Sequence, residues 1–378
     1  VLVVGAGRVG GAVAMQLAAR GLSVTVLEQA GVACATSGSG MGHVFVVPRP
    51  LAMARMTLRS AALWHSFAAA CKARREAFYW RPCGVHWVAE GYAELPGLER
   101  VAQELRGLGE TVHELSGAGL RRSEPGLAPD LAGGLFHPRD AVLYPVHGAG
   151  AMLRQARRLG AKVVTGAAVE RLALDEDPRG DGLRVRGVVV DGQLLQAKRV
   201  VPCSGVLAPQ LLGRSGLPGL PVYPRKGEVA VTAPSVDAVS SQILEVGYLD
   251  RAQGEGMWDP RVPGDPGSAS CYLQPQPDGR CLVGATRRFP GPDRPMDRTV
   301  DRRLLATSLR RAARFVPSLK RAPIVRAWAG LRPFTVDQRP FVGPVPAVSG
   351  LYLACGHEGL GLTLSQVTGE LLAGMILG

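Results

Sequence analysis

The chain has 378 residues, 46% of them hydrophobic and 20% charged, with 49 glycines and 29 prolines. That is enough to bury one large core or two smaller ones, and it excludes disordered and collagen-like classes. The formal charge of +13 raises the question of nucleic acid, but only five of the 44 basic residues are lysine, and the arginines stand singly or in short pairs such as Arg121-Arg122. No basic stripe interleaved with aromatics appears, so nucleic acid is not expected as a partner. Seven dispersed cysteines without a C-x-x-C pair argue against a zinc site or disulfide framework and for a reducing, cytoplasmic compartment. No uninterrupted run of 18 apolar residues is present, which argues against a membrane span. A targeting segment before Val1 stays open.

In chain order, Val1–Val4 reads as a strand buried on both faces. Gly5, Gly7 and Gly10 form G-x-G-x-x-G, a helix follows to about Gly21, and a second strand runs over Val24–Leu27. The first glycine allows the sharp turn, the second lets backbone approach a pyrophosphate, and the third lets helix pack on strand. Glu28 ends the second strand, where a carboxylate accepts from ribose hydroxyls and disfavours a 2′-phosphate. This context predicts dinucleotide binding and leaves FAD and NAD open. The small-residue loop 33–44, with Thr36, Ser37, Ser39 and Gly42, is expected to wrap the ligand as a nest of amides and hydroxyls.

Residues 51–80 carry helical spacing, with Met53, Met56, Leu63, Phe67 and Cys71 as core. Cys83–Glu90 alternates like a strand, 95–130 reads as short helices, and a helix runs from about Gly148 to Leu159. Strand patterns resume after it, with hairpin turns at Asp191-Gly192 and Asp278-Gly279. "VVPCSGVLAP" reads as a further buried strand ending at Gly205 near the ligand. The Gly- and Pro-rich stretch 250–268 is expected to be a surface loop. The nucleotide-binding part is therefore discontinuous. The fold class is α/β, a Rossmann-type domain (1–50, 142–225 and 326–378) joined to an α+β substrate domain (51–141 and 226–325) with a mainly antiparallel sheet.

The N-terminal "VVGAGRVGGAVAMQLAARGLSVTVLEQ", then "YLQPQPDGRCLVGAT", "WAGLRPFTVDQRPFVG" and "GHEGLGLTLSQVTGELLA" occur in the order found in the FAD-dependent D-amino-acid oxidase superfamily. The whole chain resembles its glycine oxidase and D-amino-acid dehydrogenase branch. The resemblance implies FAD as cofactor, with contacts from Gly5, Gly7, Gly10, Glu28, Thr36, Ser37, Gly42, Val169, Gly205, Gly330, Gly356, His357, Gly359, Leu360 and Gly361. A helix starting near Leu362 would face the pyrimidine side of the flavin. Arg332 matches the arginine of the G-[LIV]-R-P motif that grips the substrate carboxylate, a planar fork on a fork; a structural alternative pairs it with Asp337. Tyr272 matches a tyrosine that assists with the same carboxylate, the alternative being a packed strand aromatic.

Monomeric sarcosine oxidases attach FAD through a cysteine near this region, and "GLRPFTVD" has none, so non-covalent FAD is expected. "SGSGMG" departs from the Asn-Ala-Gly wording common in relatives, which leaves the contacts of the small-residue loop open. The implied reaction is oxidative deamination of glycine or a D-amino acid, with hydride passing from Cα to flavin N5 and an imino acid as product. Alternatives are a secondary amine (sarcosine, hydroxyproline or an opine) as substrate, or a flavin-carrying subunit of a larger dehydrogenase. The electron acceptor, O2 or a quinone-type carrier, stays open, as do homo-oligomerisation and membrane association through an acceptor partner.

Overall fold

The computed structural model describes residues 1–178, 180, 182–234, 239–253 and 258–378. Leu2–Val4 is fully buried because it lies inside a parallel four-stranded sheet, ordered Val200–Pro202, Leu2–Val4, Thr25–Glu28, Lys162–Thr165. A strand covered on both faces has no reason to alternate, hence the unbroken apolar run. Helix Arg8–Ala18 packs between Pro145–Arg158 and the C-terminal helix Gly361–Leu377. Small residues permit this: a Cβ on Gly369 would stand 2.7 Å from Ala12 O, and one on Gly11 3.3 Å from Ala149 O.

The stretch Glu358–Leu377 is long and apolar enough to cross a membrane, yet 61% of it is buried within the protein. Its hydroxyls explain the arrangement. Thr363 Oγ1 accepts from Phe45 N at 3.3 Å, and Ser365 Oγ donates to Leu362 O at 2.8 Å. Helix Leu51–Ala73 closes over it, with Trp64 Nε1 donating to Leu362 O at 3.0 Å and Ser60 Oγ to Thr363 O. The expected core face of Leu51–Ala73 is in place. Met53, Phe67 and Cys71 are buried, while Met56 and Leu63 are partly buried against the same cluster as Met53.

The second large element is an eight-stranded sheet, ordered Ile324–Thr335, Val222–Thr232, Cys281–Arg287, Ser268–Pro275, Gln242–Glu245, Val85–Ala89, Gly133–His137, His113–Ser116. It is antiparallel except where Gln242–Glu245 runs parallel to Val85–Ala89. The positions 225/226 and 325/326, where the sequence divides the chain, fall inside Val222–Thr232 and Ile324–Thr335. These two strands form one ladder with Arg225 opposite Arg332 and Gly227 opposite Gly330. Both expected hairpins form. Asp191 (φ +50°) and Gly192 (φ +71°) join Leu183–Val190 to Gln193–Gln196, and Gly279 (φ +81°) turns between Ser268–Pro275 and Cys281–Arg287.

Several expectations need correction. The loop 33–44 contains a short helix, Thr36–Ser39, and the strand residues His43–Val44. The stretch 95–130 hides a strand, His113–Ser116, between helices Leu95–Gly107 and Gly117–Ser123. The expected strand ending at Gly205 stops at Pro202, and Gly205–Leu207 is a 3-10 turn. The helix before the second strand region begins at Pro145, whose fixed φ suits a first turn. Tyr248–Gln253 is helical, so the stretch 250–268 is not loop throughout; residues 254–257 of it lie outside the described residues.

Candidate active site

The glycine turn is built by exclusion. Gly5 adopts φ +109°, which disfavours a side chain, and a Cβ there would sit 2.9 Å from Cys203 O. A Cβ on Gly10 would overlap Gly5 O, so the helix start can rest on the turn only without one. Glu28 reaches across this turn: its Oε2 accepts from Ala6 N at 2.8 Å and its Oε1 from Ala30 N at 3.0 Å. A carboxylate has about four acceptor positions, so two backbone donors fix its orientation and leave lone pairs for a ligand. Glu28 lines a groove with Gly5, Gly7, Val169 and Gly205.

That groove shares a wall (Gly7, Thr36, Ser37, Cys203 and Gly205) with a central cavity. Around the cavity stand Arg8, Gly42, His43, Tyr248, Tyr272, Gly330, Arg332, His357, Glu358, Gly359 and Gly361. Thr36 is less free than its hydroxyl suggests, because Oγ1 donates to Leu331 O at 2.6 Å and ties the short helix to the strand bearing Arg332. Ser37 Oγ accepts from Arg8 N at 3.1 Å. Two expected contacts lie elsewhere. Gly356 is absent from the cavity wall, and its φ of +82° and a Cβ position 2.7 Å from Thr335 Cγ2 give it a packing reason. Leu360 lines a small annex beyond Glu358, together with Arg225, Phe334 and Gln338.

Arg332 lies in the cavity wall. Its Nη1 donates to Thr286 O at 3.0 Å, and its guanidinium rests on the bare backbone of Gly227, where a Cβ would come within 2.5 Å of Cζ. Asp337 is not its partner; that carboxylate accepts from Arg339 N, and among the described residues the acid within ion-pair distance of Arg332 is Glu358, Oε1 to Nε 4.0 Å. Tyr272 is 1% exposed and stacks on His43 with ring centroids 4.6 Å apart. Its hydroxyl donates to Gln242 Oε1 at 2.7 Å, so the oxygen offers the cavity a lone pair and no proton. Burial pushes that phenol well above its usual range. His43 is pushed down to about 3 by burial and by the nearby Arg8 and Arg332. His357 is held near 4 by burial, with Nε2 2.9 Å from Thr368 Oγ1. Both imidazoles are neutral at physiological pH.

Sequence reasoning missed Arg8, Tyr248 and Glu358. Arg8 fills a variable position of the glycine motif, so no pattern marks it. It is 8% exposed, its guanidinium donates to Ser37 O, and among the described residues no carboxylate lies within ion-pair distance. Burial lowers it to about 10, which leaves it a cation. A buried guanidinium without an acid beside a helix N-terminus asks for an anion.

Together the groove and cavity offer a carboxylate for a ribose, a cation and helix start for a pyrophosphate, and a glycine floor for a flat ring. Those are the features of a flavin dinucleotide-binding oxidoreductase. The FAD dependent oxidoreductase (DAO) family matches residues 1–375, and the chain belongs to it. It is 29% identical to glycine oxidase of Geobacillus kaustophilus, over all of this chain and 92% of that protein. The crystal structure of glycine oxidase from Geobacillus kaustophilus superposes with a TM-score of 0.82 at 28% identity, covering 100% of this chain and 94% of that one. Hydrogen cyanide synthase subunit HcnC of Pseudomonas aeruginosa is 27% identical over 78% of this chain and 63% of its own length. The resident cofactor is FAD, held non-covalently. The cavity thiols Cys203 and Cys355 are buried, which pushes Cys355 up to about 12 and raises Cys203 as well, so neither is a nucleophilic thiolate.

Proposed function

We propose that the protein oxidises the Cα–H of glycine or a small D-amino acid to the imino acid, which water hydrolyses. The single observation that carries this reading is the placement of Arg332, a fork-shaped cation fixed by Thr286 O on the cavity wall over a floor of glycine backbone. Glu28 would hold the adenosine ribose, and Arg8 with the helix start at Gly7 would hold the pyrophosphate. Gly42, Gly330, Gly359 and Gly361 would let the ring system lie against backbone. Bound FAD supplies the two-electron acceptor. The chain's own residues supply orientation: Arg332 fixes the carboxylate, which sets the direction of Cα–H, while Tyr272, Tyr248 and His43 wall the site from water. The neutral His43 and His357 take no part as acids. We assign residues 1–50, 142–225 and 326–378 to the FAD-binding part and the remainder to substrate binding, with the Val222–Thr232 and Ile324–Thr335 ladder as the shared seam.

The test is anaerobic bleaching of the flavin band by a panel of glycine, D- and L-amino acids, sarcosine and hydroxyproline, repeated with Arg332→Ala. Two charge-assisted hydrogen bonds, each about 1.5–3 kcal/mol, are lost in the variant. The expected fall in kcat/KM is therefore about 10²- to 10⁴-fold with flavin content unchanged. Unchanged amino-acid turnover in Arg332→Ala would sink the reading.

A further inference from the structure

Glu358 stands where a glycine would be unstrained. Its φ is +47°, a region costly for a side chain, in a 3-10 turn between His357 and Gly359. The distortion aims its carboxylate at the junction of the central cavity and the annex, both of which it lines. Oε2 accepts from Gly359 N. Oε1 is shielded from solvent and accepts no hydrogen bond from the described residues; Arg225 Nη1 at 3.6 Å and Arg332 Nε at 4.0 Å are its nearest cations. Those distances are electrostatic contacts, beyond hydrogen-bonding range. A buried carboxylate oxygen left in that condition is costly unless something else donates to it.

We propose that Glu358 Oε1 accepts an N–H from the substrate's amine while Arg332 holds the carboxylate, so that the site recognises an α-amino carboxylate at both ends. The proposal rests on the functional reading above and deepens it. In an α-amino acid the amine and carboxylate are separated by one carbon, so a donor and an acceptor 4.0 Å apart at the same wall can each reach one of them. Three guanidiniums, Arg225, Arg287 and Arg332, surround this one carboxylate. Burial alone would raise its pKa, but Arg332, Arg225 and Arg287 outweigh it and hold Glu358 ionised. Those guanidiniums disfavour an ammonium at this place, and the contact with the Glu358 carboxylate offsets part of that effect. Glu358 is thus a weak base that remains an ionised hydrogen-bond acceptor. It aligns the amine, and with it Cα–H, without needing to take a proton.

The test compares Glu358→Ala and Glu358→Gln with wild type, all FAD-loaded, by kcat and KM for glycine and by the inhibition constant of acetate. Acetate has the carboxylate and lacks the amine. Glycine kcat/KM is expected to fall about 10- to 100-fold in Glu358→Ala, the effect of losing one hydrogen bond to a charged group. Glu358→Gln, which keeps an acceptor oxygen, falls less. Acetate inhibition stays unchanged or tightens in both, because a negative charge beside Arg332 has gone. If acetate weakens by the same factor as glycine, Glu358 merely supports Arg332 and the proposal is overturned; glycine kcat/KM within threefold of wild type in Glu358→Ala overturns it too. Flavin content and Tm report folding, and Glu358→Gln carries the comparison if the alanine variant loads poorly. A loaded wild-type enzyme whose flavin no amino acid reduces refutes the functional reading itself, before any variant is made.

Discussion

Substituting Gly227→Ala adds one methyl group to a residue that touches no substrate in the proposed scheme, and its effect can be worked out from the ladder. Gly227 faces Gly330 across the two long strands, and Arg225 faces Arg332 two residues away, so all four share one face of the sheet. The Arg332 guanidinium lies over Gly227, where an added Cβ would sit 2.5 Å from Cζ and closer still to both terminal nitrogens. Ordinary contact needs about 3.5 Å, so the guanidinium must shift by about 1 Å. The backbone has no objection, since Gly227 is not among the positive-φ residues, and the displaced group is the end of a long side chain. Stability should therefore change little. Misplacing a substrate clamp by about 1 Å costs on the order of 10²-fold in rate. The assay is kcat/KM for the preferred amino acid, with Tm and flavin absorbance as controls. A variant with wild-type Tm, full flavin content and kcat/KM within threefold of wild type would refute the placement of Arg332 against this backbone and its role as the clamp.

Arg8→Gln should weaken FAD retention by about tenfold or more, read by flavin fluorescence during dilution, because a charge-assisted contact to the pyrophosphate is lost; unchanged retention removes Arg8 from the cofactor site. His137 gives a pH prediction. It is 1% exposed, with Nε2 2.9 Å from Glu110 Oε2 and Nδ1 3.2 Å from Asp140 Oδ1. Burial lowers its pKa, but Asp140 and Glu110 more than compensate and lift it to about 9. A folded pKa above the unfolded value of about 6.5 means stability that is fully present below pH about 6.5 and is lost as pH rises through about 9, up to about 3 kcal/mol. Tm should fall across that window in wild type and change less in His137→Gln; equal slopes would show that the cluster is not the source.

The nucleotide end was legible because each of its requirements is local. A buried strand, a turn that excludes Cβ atoms and an acid at the end of the next strand are all written within 28 residues, and Gly5, Gly10 and Glu28 stand where that pattern places them. Arg332 was legible as a candidate through its motif, but its setting was not. Gly227, Thr286 and Glu358 meet it from three other segments, and no period in the sequence signals contacts between segments so far apart. The loop 33–44 misled for a related reason. Small hydroxylated residues suit a loop, and here Thr36 and Ser37 are committed to Leu331 O and Arg8 N, which pulls the segment into a short helix against the sheet. His113–Ser116 is mostly exposed and polar, so only its pairing with Gly133–His137 makes it a strand.

The opposition of Arg225 and Arg332 is the feature that joins fold to chemistry. Like charges directly across an antiparallel ladder destabilise it, and Arg225 is 4% exposed. Arg225 has aromatic support, its Cζ lying 5.1 Å from the Phe334 ring centroid and 5.5 Å from that of Phe289. Among the described residues Arg332 has a backbone carbonyl and the Glu358 carboxylate at 4.0 Å, the latter shared with Arg225 at 3.6 Å. Of the two cations, Arg332 is the one that lines the central cavity, and in the proposed scheme the incoming carboxylate binds there. The sheet thereby stores an incomplete charge balance at one address. In the proposed scheme a substrate carboxylate completes it, at Arg332 and not at the neighbour across the ladder whose cation is packed on Phe334 and Phe289.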